Sequence, residues 1–86
     1  MATMDATVTA DWVDIKTSLT LVEGSSYVID NVNGGCVYIR EGATSPTKKI
    51  GHPIHLNESR LVVITTDKLW VRTDDPTANL VITVEA

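Results

Sequence analysis

Phenylalanine is missing from this sequence, and cysteine occurs once, at Cys36. A single thiol rules out any disulfide within the chain, and a lone unpaired cysteine fits a reducing compartment. Basic residues are also few: seven Lys and Arg face eleven Asp and Glu, for a net charge of −4. A surface with that balance is poorly suited to neutralising phosphates, so no nucleic acid partner is expected. No apolar stretch approaches the roughly 18 residues that a membrane span requires. The first seven residues hold neither a basic region nor an apolar run, so no secretory signal is expected. The expectation is a soluble protein made in a cytoplasm. Strong helix formers are scarce as well, with six Ala, six Leu, four Glu and four Lys among 86 residues.

In their place stand the β-branched residues. Valine (11), isoleucine (7) and threonine (12) make up 30 of the 86 positions. Such side chains lose rotamer freedom in helices and fit a pleated surface. Strand signals are read over Trp12-Val-Asp-Ile15, Ser18-Leu-Thr-Leu-Val22, Tyr27-Val-Ile-Asp-Asn-Val32 and Cys36-Val-Tyr-Ile-Arg-Glu41. Further signals lie at Thr47-Lys-Lys-Ile50, Ile54-His-Leu56, Arg60-Leu-Val-Val-Ile-Thr65, Leu69-Trp-Val-Arg72 and Asn79-Leu-Val-Ile-Thr-Val84. Turn signals punctuate them every six to ten residues, centred near 24, 34, 43, 52, 58, 67 and 75. The strongest is Asn33-Gly34, whose positive φ angles suit a type I′ hairpin joining the strands on either side.

This spacing predicts an all-β fold, a small antiparallel sandwich or barrel of about eight short strands in a meander or Greek key. Residues 1–10 are expected as a flexible arm and 11–86 as one β domain. A chain of this size buries only about 60–65% of its unfolded surface, so its core is thin. Runs such as Leu61-Val-Val-Ile64, Cys36-Val-Tyr-Ile39 and Leu80-Val-Ile82 are apolar on both strand faces. A sandwich interior uses only one of those faces. The second face points to burial against another chain, so a homo-oligomer is expected. Trp12, Val62, Ile64, Trp70 and Arg72 are the candidate interface residues.

Chemistry-bearing residues are sparse. His52 and His55 form a His-Pro-Ile-His pair, but zinc wants three or four nitrogen or sulfur ligands and no third histidine exists. Asp67, Asp74 and Asp75 lack the spacing of a calcium loop and read as turn-forming aspartates. Cys36 stands in an apolar strand, where a thiol behaves as a small hydrophobe. No serine sits in a Gly-x-Ser-x-Gly elbow, and no glycine-rich phosphate loop is present. No catalytic residue, metal or cofactor is expected, and the reading is of a non-enzyme. Trp12, Trp70, Tyr27 and Tyr38 either fill the core or form a sugar-stacking platform. If Leu69 and Val71 face inward, Trp70 lies outside beside Arg72; the opposite register is equally compatible with the pattern.

The run Leu21-x-Glu-Gly-x-x-Tyr-x-Ile-x-Asn31, with Val37-Tyr-Ile-Arg-Glu41, Leu69-Trp-Val-Arg72 and Leu80-Val-Ile-Thr-Val-Glu-Ala86, resembles small β proteins of tailed bacteriophages. The resemblance spans residues 12–86 and is one of strand and turn texture, so it transfers no functional residue. It implies a virion location among decoration, head-fibre or tail-associated proteins, often trimeric or ring-forming, bound to other virion proteins. The alternative is a carbohydrate-binding module for host attachment.

Overall fold

The computed structural model describes residues 3–33, 35–48 and 50–85. Eight strands and one helical turn follow in order: β1 (Thr3–Val8), β2 (Val13–Asp14), α1 (Ile15–Ser18), β3 (Ser26–Asn33) and β4 (Cys36–Gly42), then β5 (His52–His55), β6 (Ser59–Val63), β7 (Lys68–Thr73) and β8 (Ala78–Glu85). They form two four-stranded sheets, β1-β8-β3-β6 and β2-β7-β4-β5, paired antiparallel throughout. Both central pairs, β3·β8 and β4·β7, use strands whose outer neighbours complete the sheet. Strand 1 pairs with 8, 2 with 7, 3 with 6 and 4 with 5. That is one long antiparallel ribbon rolled onto itself, the strand order of an eight-stranded jelly roll with its two Greek keys. The all-β sandwich read from the turn spacing is the observed fold.

Alternation sets the two faces. Tyr27 and Ile29 of β3, Leu80 and Ile82 of β8, Val37 and Ile39 of β4, and Leu69 and Val71 of β7 all point between the sheets and are buried. Each such side chain contributes about 1.5–3 kcal/mol by leaving water. Among the described residues, two polar ones, Asn31 and Thr73, share that interior. Asn31 is fully buried; its side-chain Nδ2 donates to the carbonyl of Ile54 at 2.9 Å, tying β3 to β5 of the facing sheet. The molecule measures 31 × 27 × 18 Å, the slab expected of two sheets stacked about 10 Å apart.

Several local expectations are corrected. Residues 3–8 are no arm: they form β1, paired with β8 from Thr3↔Thr83 to Val8↔Ala78, and Val8 is fully buried. Met1 and Ala2 lie outside the described residues. The expected strand at 18–22 is the end of α1 and a loop. Asp14 caps that turn, its Oδ1 accepting from the Thr17 amide at 3.3 Å and its Oδ2 from the Thr17 hydroxyl. Thr20, at φ 55°, then takes the chain out of any extended path.

The expected hairpin between β3 and β4 does not form either, because both edges of each strand are taken, β3 by β6 and β8 and β4 by β5 and β7. The chain instead arches from one sheet to the other. Gly34, at the turn, lies outside the described residues. Beyond it, the Gly35 amide donates to Asp75 Oδ2 at 2.5 Å, and the Thr73 hydroxyl to the Cys36 carbonyl at 2.9 Å. The short edge strand read at 47–50 is loop at 47, 48 and 50, and Lys49 lies outside the described residues. Among the described elements, only β4 and β5 are consecutive in one sheet, so the loop 43–51 is the tip of the rolled ribbon.

Candidate functional site

Three surfaces compete for a role, and the structure treats them differently. On the sheet β2-β7-β4-β5, the outer face carries Lys68, Trp70 and Arg72 of β7, opposite Leu69 and Val71 in the core. Trp70 therefore lies outside and half-buried. Its indole Nε1 donates to the Gly42 carbonyl at 2.9 Å, and Lys68 Nζ stands 5.8 Å from its ring. Trp12 Nε1 donates to the Lys48 carbonyl at 3.0 Å, and Arg40 Nη1 to the Ile50 carbonyl at 3.3 Å. Trp12 and Arg40 thus hold the loop at Lys48 and Ile50 against this face, and Trp70 holds the end of β4.

Arg72 is only 3% exposed, although it points outward. Its guanidinium lies 6.0 Å from the Trp12 ring and 5.4 Å from the Tyr38 ring. Nε donates to the Ala10 carbonyl at 3.0 Å, and Nη2 meets Asp74 Oδ1 at 2.6 Å. Of Trp12, Trp70 and Arg72, the last is stacked between the half-buried rings of Trp12 and Tyr38, while Trp70 meets Lys68 instead. The Tyr38 hydroxyl titrates above its ordinary value of 10.0, because the Cys36 thiol and then the Asp74 carboxylate bond the neutral phenol and repel the phenolate.

Among the described residues, the outer face of the sheet β1-β8-β3-β6 carries no such clasp. Here Val62 and Ile64 correct the expected interface: they are core residues, 7% and 3% exposed. The strand alternates, so their neighbours Leu61 and Val63 face out, at 60% and 51% exposure. Leu61 is paired across to Val28, and Val28 in turn to Thr83, so the half-buried Val28 continues the apolar strip inward. Val81, also half-buried, lies on the same face of β8.

The third surface is the open side of the sandwich, where the edges β5 and β6 face each other. A hollow of about 440 Å³ opens there, lined by Ile39, Arg40, Glu41, His52, Arg60 and Val62. Register explains its polarity. Arg60 pairs with Ile29 and His52 with Ile39, both buried core positions, so each stands on an inward row. Glu41 is two residues on from Ile39 and shares that row. Nothing in the pattern of Arg60-Leu-Val-Val-Ile64 announced this, although Arg60, Val62 and Ile64 share one alternation frame. His52 and His55 lie on opposite faces of β5, because Ile54 between them is buried on the inward row with His52. Among the described residues, no group of three or more His, Cys, Asp or Glu gathers to hold a metal ion. No helix among them is long and apolar enough to cross a membrane.

No protein-family model, curated protein or solved structure matches this chain.

Proposed function

We propose that this protein is a structural component of a phage virion that works by contact, assembling as a homo-oligomer through the outer face of the sheet β1-β8-β3-β6. The observation that carries the reading is the exposure of Leu61 and Val63 beside Val28 on that face. On the opposite sheet the outer face is crossed by the loop that Trp12 and Arg40 hold, although Ile50 of that loop is itself 67% exposed. Three of the four sheet edges are poor pairing sites: β2 is two residues long, β5 carries Pro53, and β6 turns Arg60 inward. The proposed contact is therefore the face, with β1 the remaining open edge. The occupant is a second copy of this chain. The slab's broad face, 31 × 27 Å, is on the order of the 800 Å² that each partner contributes to a stable interface.

The virion assignment draws on the sequence resemblance and on the use of jelly rolls in viral capsids, an argument by analogy of fold. Lectin domains share that fold, so the carbohydrate-binding alternative has the same analogy behind it. It has less support from the site, since Arg72 stands over the Trp12 ring and Lys68 over the Trp70 ring.

Light scattering on a size-exclusion column tests the reading. The wild type is expected to run above the 9.3 kDa monomer mass at micromolar concentration. Burying the exposed halves of Leu61 and Val63 gains about 1 kcal/mol each, and a charge at the centre of the patch removes more than that. Leu61→Glu is expected to weaken association more than tenfold while leaving the β circular dichroism intact. A wild-type protein that is monomeric under these conditions refutes the assembly. Purified virions whose mass spectra lack this chain refute the location.

A further inference from the structure

We propose that the hollow on the open side of the roll, between β6 and the pair β4·β5, binds a carboxylate carried on an apolar stem. The inference stands on this hollow alone and does not depend on the assembly reading. Four titratable side chains border the hollow, Arg40, Glu41, His52 and Arg60, over a floor of Ile39 and Val62. Arg60, His52 and Glu41 reach it from three different strands on inward rows, where alternation otherwise places core residues. Among the described residues, none of these three side chains bonds another, so Arg60 and Glu41 line one hollow without closing it as an ion pair. Arg40 is held at its rim by the Ile50 carbonyl.

The chemistry of the lining selects the ligand. In a chain of net charge −4, Arg60 stands on an inward row at this hollow, and Arg40 borders it from the outer side of β4. The cation on the inward side is Arg60, and Glu41 beside it disfavours a dianion such as phosphate. An arginine fork fits the two oxygens of a carboxylate. The apolar floor formed by Ile39 and Val62, both buried, suits an aliphatic stem behind that head group. The volume lies within the range of small-molecule pockets. Such a group comes either from a free carboxylic acid or from an acidic side chain of a partner protein.

Titration of isotope-labelled protein by amide NMR tests this, with hexanoate, inorganic phosphate, hexylammonium and an acetylated, amidated Ala-Glu-Ala peptide as probes. Hexanoate is expected to shift the amides of Ile39, His52, Arg60 and Val62 along a saturating curve, with a dissociation constant in the millimolar range. Hexylammonium and phosphate are expected to leave them in place. Arg60→Gln is expected to weaken the carboxylate at least tenfold, the loss of one charged hydrogen-bonding partner. Arg60→Lys keeps the charge without the fork and is expected to fall between. Arg60 is exposed, and the dispersed spectrum of each variant verifies its fold. Tighter binding of the peptide than of hexanoate identifies a protein side chain as the source, and the reverse order a free acid. The proposal is overturned if neither carboxylate saturates, if phosphate binds as tightly as hexanoate, or if Arg60→Gln binds hexanoate like the wild type.

Discussion

Replacing Arg72 by Met removes a cation from the protein while keeping an unbranched stem between Trp12 and Tyr38. The structure allows the cost to be built up. The Nε bond to the Ala10 carbonyl, at 3.0 Å and charge-assisted, is worth about 1.5–3 kcal/mol. Two ring contacts at 6.0 and 5.4 Å add about 0.5–1 kcal/mol each. The ion pair with Asp74 is short, but the Asp74 side chain is 65% exposed, so solvent screening holds it to at most about 1 kcal/mol. Against these, the buried guanidinium sheds its desolvation penalty on leaving. A net loss of about 2 kcal/mol is expected, or roughly 10 °C in Tm for a domain of this size. Urea denaturation of the wild type, Arg72→Met, Asp74→Asn and the double variant measures both the loss and its partition. The coupling between the two residues is expected to be no more than about 1 kcal/mol. An Arg72→Met protein as stable as the wild type would refute the reasoning, as would a coupling that accounts for the entire loss.

Two further outcomes follow from the same face. A Cβ at Gly51 would stand 2.7 Å from the Ile39 carbonyl oxygen and 3.2 Å from the Trp12 ring, so Gly51→Ala is expected to cost about 1–3 kcal/mol in urea unfolding. Its clash is with β4 backbone, which has little room to yield. For Tyr38 the sign runs to high pH. Its folded pKa is raised, so its contribution to stability is complete below 10.0 and is lost as pH rises through the folded value. Spectrophotometric titration is expected to show one tyrosine ionising late, and Tyr38→Phe to flatten the alkaline stability loss.

The strands that alternation revealed, β3, β4, β7 and β8, are those that fill the core, because a buried face leaves a period of two in the sequence. The first strand carries the same signal. Met4, Ala6 and Val8 alternate with Thr3, Asp5 and Thr7, but one apolar position is only alanine and two of the polar ones are threonine, so the contrast is weak. The segment 18–22 alternates yet is no strand, and the tell-tale is three residues upstream of Thr17, where Asp14 caps a helical turn. Asn33-Gly34 named a turn but not its destination. Whether a turn joins neighbours or arches between sheets depends on which edges other strands occupy, and the nearest of those strands, β5, begins only at His52. The hollow was illegible for the same reason: Arg60 and His52 look like ordinary edge residues until the two sheets are stacked. The clasp was half legible, since the placement of Trp70 beside Arg72 follows once Leu69 and Val71 are known to face the core.

The pairing of each strand i with strand 9 − i also orders events on the ribosome. The tip pair β4·β5 has the shortest separation and is available as soon as β5 has emerged. Each later strand then finds a waiting partner, β6 for β3, β7 for β2 and β8 for β1, so a nascent chain acquires its rungs from the tip outward. The two central contacts, β3·β8 and β4·β7, arrive only with the last two strands. Ile29 and Val37 gain their second strand neighbours only with those contacts.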